Sequence, residues 1–172
     1  MKTIHLFSVL IIFVSISAFA QNFKGIPIGT ENVAIQNADF EKEVLRLVNK
    51  IRKKNHLNIL IWQEDLARAA RYHAQDMAKD DYMEHETYDR NDNQLVEICE
   101  TFYRIEKFIR MNNLGENISA GKSTAQETVD GWMESKGHRK NILNPRFKYI
   151  GIGYYFMKGT HYQHYWVQDF GG

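Results

Sequence analysis

Tyr149-Ile150-Gly151-Ile152-Gly153-Tyr154-Tyr155-Phe156 is the stretch whose reading decides the fold. Ile150, Ile152, Tyr154 and Phe156 alternate with Tyr149, Gly151, Gly153 and Tyr155, which is the two-residue period of a strand. Lys158-Gly159-Thr160 reads as a turn, and Tyr162, His164, Trp166, Gln168 and Phe170 alternate back. This is a hairpin with aromatic residues on both faces. Neither face suits open water, so other elements must cover it on both sides.

Upstream segments supply the covers. Phe40, Val44, Leu47, Val48 and Ile51 form one apolar stripe of a helix opened by Asp39, with Arg52-Lys53-Lys54 at its negative end. Leu57 to Trp62 is a short apolar connector. Gln63-Glu64-Asp65 begins a second helix, striped by Leu66, Ala69, Ala70, His73 and Met77 and ended by Asp80-Asp81. Its alanines predict close packing. Leu95 to Met111 reads as a third helix, stopped at Asn112 and Asn113. Ser123 with Gln126 and Thr124 with Glu127 give two overlapping capping boxes for a helix presenting Val129, Trp132 and Met133, with Gly137 as its stop. Helices before and between strands predict an α/β sandwich.

The chain has 172 residues, 44% of them hydrophobic, enough for one domain with a real core. Lys2, the apolar run from Leu6 to Ile16, and Ala18-Phe19-Ala20 read as a secretory signal peptide over residues 1–20, cleaved after Ala20. That run is shorter than the roughly 20 apolar residues of a membrane span. The expectation is a secreted or periplasmic protein, not stably inserted in a membrane once the signal is removed. Residues 21–38 read as an N-terminal arm. With a formal net charge of +1, the chain offers no bulk attraction for nucleic acid. A single cysteine, Cys99, excludes an intramolecular disulfide and reads as a small buried residue.

The candidate chemistry lies in His85, just past the second helix; Glu116, where a loop enters a strand; and Glu134 and His138, around the end of the Trp132 helix. Histidines and carboxylates can hold a divalent metal or move protons. Ser135, His138 and Glu116 also allow a hydrolytic triad to be drawn, without a nucleophile turn or oxyanion hole to support it. Asp89, Asn91, Asn93, Glu97 and Glu100 match positions 1, 3, 5, 9 and 12 of a calcium loop, but Gln94 stands where glycine is required. The start of a solvated helix explains the same residues. His73, on a buried stripe, reads as a satisfied core histidine.

These blocks together resemble the CAP superfamily, or SCP domain: cysteine-rich secretory proteins, antigen 5 and pathogenesis-related 1, and most of all its disulfide-free bacterial branch. The similar blocks are Leu60-Ile61-Trp62 with Leu66, Ala69-Ala70, His73-Ala74 and Met77; Tyr82 to His85; Phe102 to Ile105; Gly115 to Ile118; Trp132 to Arg139; Asn141 to Pro145; and Ile150 to Gly153. The resemblance implies a three-layer α-β-α sandwich with a mostly antiparallel central sheet over residues 39–172, and a cleft holding two histidines and two acids. His85, Glu116 and His138 map onto three of these. The fourth acid is replaced by Ser135, with Glu134 one position earlier and about 100° around the helix. Residues 86–101 have no counterpart and read as an insertion.

The resemblance implies a secreted, non-enzymatic binding or interaction module. Its cleft would take a small molecule, a lipid or sterol, a protein, or a divalent cation such as zinc held by His85 and His138. One alternative is a metal- or acid–base-assisted hydrolase, with His138 as base and Glu116 orienting it. The other is a purely structural cleft.

Overall fold

A computed structural model describes residues 23–172, so the signal peptide read at 1–20 lies outside the described residues. Helix α1 spans Ala38–Lys54 and starts one residue before Asp39, because the Asn37 side chain caps it by accepting from Phe40 N at 3.1 Å. Strand β1 is Ile61–Trp62, within the apolar connector. Helix α2 spans Glu64–Asp80, capped by Gln63 and ended by Asp81 at φ +49°. The remaining elements are β2 (Thr87–Asn91), β3 (Gln94–Cys99), α3 (Thr101–Phe108), β4 (Leu114–Ala120), α4 (Ala125–Glu134), α5 (Lys136–Ile142), β5 (Tyr149–Phe156) and β6 (His164–Gly171).

The main sheet runs β1-β5-β6-β4; β1 is parallel to β5, and the other pairs are antiparallel. Its two faces receive alternate residues of each strand. Ile150, Ile152, Tyr154, Trp166 and Phe170 face α1 and α4, packing with Val44, Val48, Val129 and Trp132 in an apolar core. Ile118, Tyr165 and Val167 face α2, packing with Ala70, Ala74 and Met77. The chain is thus the expected α-β-α sandwich. The helix-to-sheet approach on the α2 side is unusually close. A Cβ on Gly151 would stand 2.1 Å from Ala67 N, and one on Gly153 would stand 2.2 Å from the Ala70 carbonyl carbon. Backbone cannot yield at such distances, so both strand positions require glycine.

Three expectations are corrected. Residues 95–99 are not the start of a helix. They form β3, paired with β2 in a hairpin that registers Asp89 with Val96 and Asn91 with Gln94, and α3 begins only at Thr101. The residues of the calcium-loop pattern are therefore strung along two strands, their turn and the N-cap of α3. Asp89, its first position, instead accepts from Gly25 N at 2.9 Å. Gly137 is not a stop. The helix breaks at Ser135, which is extended, and Gly137 lies inside α5. Of the two capping boxes only Thr124 with Glu127 closes; Ser123 donates to the Glu127 side chain instead.

Residues 23–37 contain no helix or strand and pack over α2, with Phe23 stacked on Tyr72 at 5.2 Å and Arg68 Nη2 donating to Gly29 O at 2.8 Å. Cys99 is buried. Among the described residues no helix is long and apolar enough to cross a membrane.

Candidate functional site

The cleft runs along the outer edge of β4. Two carbonyls on that edge are closed by side chains: Trp132 Nε1 donates to Ile118 O and Asn141 Nδ2 to Glu116 O, each at 2.9 Å. An edge capped in this way keeps a further strand from adding there. What remains is a depression of about 360 Å³, walled by His85, Glu86, Glu100, Phe102, Glu116 and Asn141 among others.

Three elements bring the polar groups together. Glu116 stands on β4 and is almost completely buried. His85 comes from the turn between α2 and β2, and its Nδ1 bonds Glu116 Oε1 at 2.8 Å. Arg104 comes from α3 and is fully buried. Its Nη2 donates to Glu116 Oε2, and its Nη1 donates to His85 O at 2.7 Å and to Thr87 Oγ1 at 3.3 Å. One guanidinium therefore holds both the carboxylate and the backbone of the histidine that the carboxylate binds. His138, on α5, faces His85 with ring centroids 6.3 Å apart.

The charges follow from this packing. Burial alone would push the Glu116 carboxyl up; Arg104, then His73 and the hydrogen bond from His85, more than offset it, and its pKa falls to about 2. The hydrogen bond to Glu116 raises His85, against the opposing effect of burial. Burial, and then the charge of His85, lower His138. The two neighbouring rings thus differ: His85, in the wall of the depression, favours its proton, and His138 beside it favours a free lone pair. The His85 side chain is 42% exposed, so its far nitrogen reaches the cleft while Nδ1 is occupied.

The other sequence candidates fall into place around this cluster. Glu116 orients His85, not His138, which corrects the expected base–orienter pair. Ser135 is half-buried at the α4–α5 junction, and among the described residues no hydrogen bond joins it to His138. Glu134 is exposed at the end of α4 and makes no hydrogen bond or ion pair with the histidines. His73 is fully buried as expected of a core histidine, but only half satisfied: its Nε2 bonds Glu84 O at 3.0 Å, while among the described residues its Nδ1 has no partner. Asn117 donates to His138 O at 3.2 Å and to Gln168 Oε1 at 3.0 Å, so it braces α5 against the sheet.

Sequence reasoning does not single out Arg104 as a site residue. Its signal is present all the same: with Thr101 and Ile105 it completes the buried stripe of a short helix, and a charge in such a stripe demands a buried partner. Among the described residues no three His, Cys, Asp or Glu side chains stand together in a metal-holding group.

The family model for the cysteine-rich secretory proteins, CAP, matches residues 45–170. The chain is 40% identical over 116 residues to Bacillus subtilis "Uncharacterized protein YkwD", an alignment covering 67% of this chain and 42% of that protein. It spans under half the length of the curated relatives it matches. Among solved structures it resembles an extracellular protein containing a SCP domain from Bacillus anthracis, with TM-score 0.61 and 27% identity, covering 76% of this chain and 39% of the other. It also shares its fold with an outer surface protein from Borrelia burgdorferi, with TM-score 0.62 and 23% identity, covering 76% of this chain and 90% of the other. Its single cysteine leaves the fold without an internal disulfide. The chain belongs to the CAP family, the cysteine-rich secretory proteins, and stands with its disulfide-free bacterial members.

Proposed function

We propose that this chain is a secreted binding module whose cleft holds a small ligand between His85 and His138 without turning it over. The observation that carries this reading is the imidazole pair itself: two rings 6.3 Å apart, one held by a buried carboxylate that is in turn held by a buried arginine. A His85 ring fixed this firmly in the wall of a depression is pre-organised for binding. The volume of about 360 Å³ suits a small ligand.

The donor set fits a divalent cation such as zinc at two positions. His138 offers a neutral lone pair, and His85 offers its far nitrogen while Glu116 fixes its orientation, an arrangement common around metal-bound imidazoles. Solvent or the ligand would complete the shell. Against turnover, among the described residues no nucleophile is seen linked to a base: Glu116 is engaged with His85 and Arg104, and Ser135 has no bond to His138.

Zinc titration calorimetry tests this on the protein without its leader, beside His85→Ala and His138→Ala. The expected result is binding in the parent that both substitutions abolish. No heat in the folded parent retires the cation. A steady rate on an ester or peptide panel that disappears in His138→Ala overturns the non-enzymatic reading.

A further inference from the structure

Behind the cleft lies a carboxyl group that the binding reading does not use. Asp169 on β6 is directly opposite Glu116 on β4. Asn141 takes the Glu116 carbonyl from the outer side, so the Glu116–Asp169 pair is the non-hydrogen-bonded kind, with Cα atoms only about 4.5 Å apart. Both side chains leave the sheet together, toward α2 and α3.

The two acids have opposite surroundings. Each oxygen of Glu116 has a partner, His85 or Arg104. Asp169 is fully buried, and among the described residues neither of its oxygens has a donor. An ionised carboxylate only accepts hydrogen bonds, so in this place it would carry unsatisfied lone pairs beside a second negative charge. The neutral acid removes both costs, because its hydroxyl becomes a donor and the Glu116 carboxylate is an acceptor on the same face. Two carboxyl groups in one site commonly share a single proton in this way.

The groups facing Asp169 agree with that state. Glu116 on β4 and Arg104 on α3 act on it with opposite sign, β5 places side-chain-free Gly151 opposite it, and His73 and Asp76 on α2 interact with Arg104 farther along. Burial, with the Glu116 charge adding to it, outweighs Arg104 and holds the Asp169 carboxyl well above the usual carboxylate range.

We propose that Asp169 is a positioning residue of the cleft: it keeps its proton, donates it across the β4–β6 pair to Glu116, and so fixes the carboxylate that holds His85. The role concerns the protein without ligand and stands whatever the cleft binds.

Carbon-13 NMR of the aspartate side-chain carboxyls, in wild type from about pH 4 to about pH 8, tests it directly, since an ordinary aspartate titrates near 3.9. The expected Asp169 signal keeps its protonated-acid shift at neutral pH. A signal already in the carboxylate position at the lower limit, and unchanged above it, overturns the proposal. Asp169→Asn keeps a donor and Asp169→Leu removes it. The nitrogen-15 shifts of the His85 ring should match wild type in the first and move in the second. Equal His85 shifts in both variants would sink the positioning role even if the proton were found.

Stability gives a third reading. The folded protein binds a proton on Asp169 that the unfolded chain releases near pH 3.9, so this group's contribution declines as pH rises from there toward its raised folded value. Asp169→Asn has no such decline. Its melting temperature relative to wild type should therefore rise across that window, and parallel profiles would contradict the proposal.

Discussion

On one face of the central sheet, Ile150, Ile152, Tyr154, Trp166 and Phe170 meet α1 and α4 in an apolar core. On the other, Ile118, Tyr165 and Val167 pack on α2, and beside them lie the buried acids Glu116 and Asp169, Glu116 bonded to a fully buried Arg104. The strands are shared, and the pleat alone sorts two chemistries onto opposite sides. The apolar face is held by area and fit, so each lost atom matters in proportion to the space it leaves. The charged face is held by partnership, so the loss of one member strands the others. The cleft grows from the second kind of face, where His85 is an extension of the Glu116–Arg104 pair toward solvent.

The sharpest way to break that contrast is Arg104→Leu. It keeps the bulk but leaves Glu116 buried without its counter-charge, and breaking a buried pair from one side costs about 3–5 kcal/mol. Urea unfolding at neutral pH should show that loss. The pH dependence carries the signature. Glu116 has a folded pKa of about 2, below the unfolded value of about 4.3, so its contribution is complete above the latter and lost as pH falls through the former. The gap between wild type and Arg104→Leu should narrow over that acid window. A gap below about 1 kcal/mol, or one independent of pH, would show that the pair does not hold this face.

Ile152→Ala probes the opposite face. Ile152 is fully buried between the sheet and α1. Deleting its outer carbons should cost about 2–5 kcal/mol, the lower end if neighbours collapse into the space. Unlike Arg104→Leu, it touches no titrating group. Its loss in urea unfolding should be the same at pH 4 as at pH 7. A marked pH dependence here would mean that the two faces are not energetically separate.

The two faces were also unequally legible. Periodicity exposed the apolar one, because α1, β5 and β6 announce themselves by where carbon recurs. The charged face depends on contacts between distant residues. Arg104 and Glu116 are 12 positions apart on a helix and a strand, and Glu116 and Asp169 meet only once β4 is laid against β6. No spacing rule reports such meetings. The β2–β3 hairpin was hidden differently. Leu95, Val96 and Ile98 between acids mimic a helix start, and the strand pair is closed by Asp92 at φ +54° where glycine would have flagged a turn. The α4–α5 break at Ser135 likewise carries no Gly or Pro.

The smallest expected effect sharpens the comparison by touching neither face. Thr124 caps α4: its Oγ1 accepts from Glu127 N at 3.2 Å, and Glu127 Oε2 accepts from Thr124 N at 3.1 Å. The box lies on the surface and carries no buried charge. Thr124→Ala removes one half of it and should cost about 1 kcal/mol at neutral pH, without moving the His85 ring shifts. Because the Glu127 carboxyl is held below its usual value chiefly by its hydrogen bond to the Thr124 side chain, and then by Ser123, part of this cap fades on acidification. That fading, on an exposed group, is the background against which the larger acid response of Arg104→Leu must be read. If Thr124→Ala narrowed toward wild type in acid as much as Arg104→Leu, the acid window would report surface caps in general. If only Arg104→Leu narrows strongly, the window belongs to the buried face that carries the cleft.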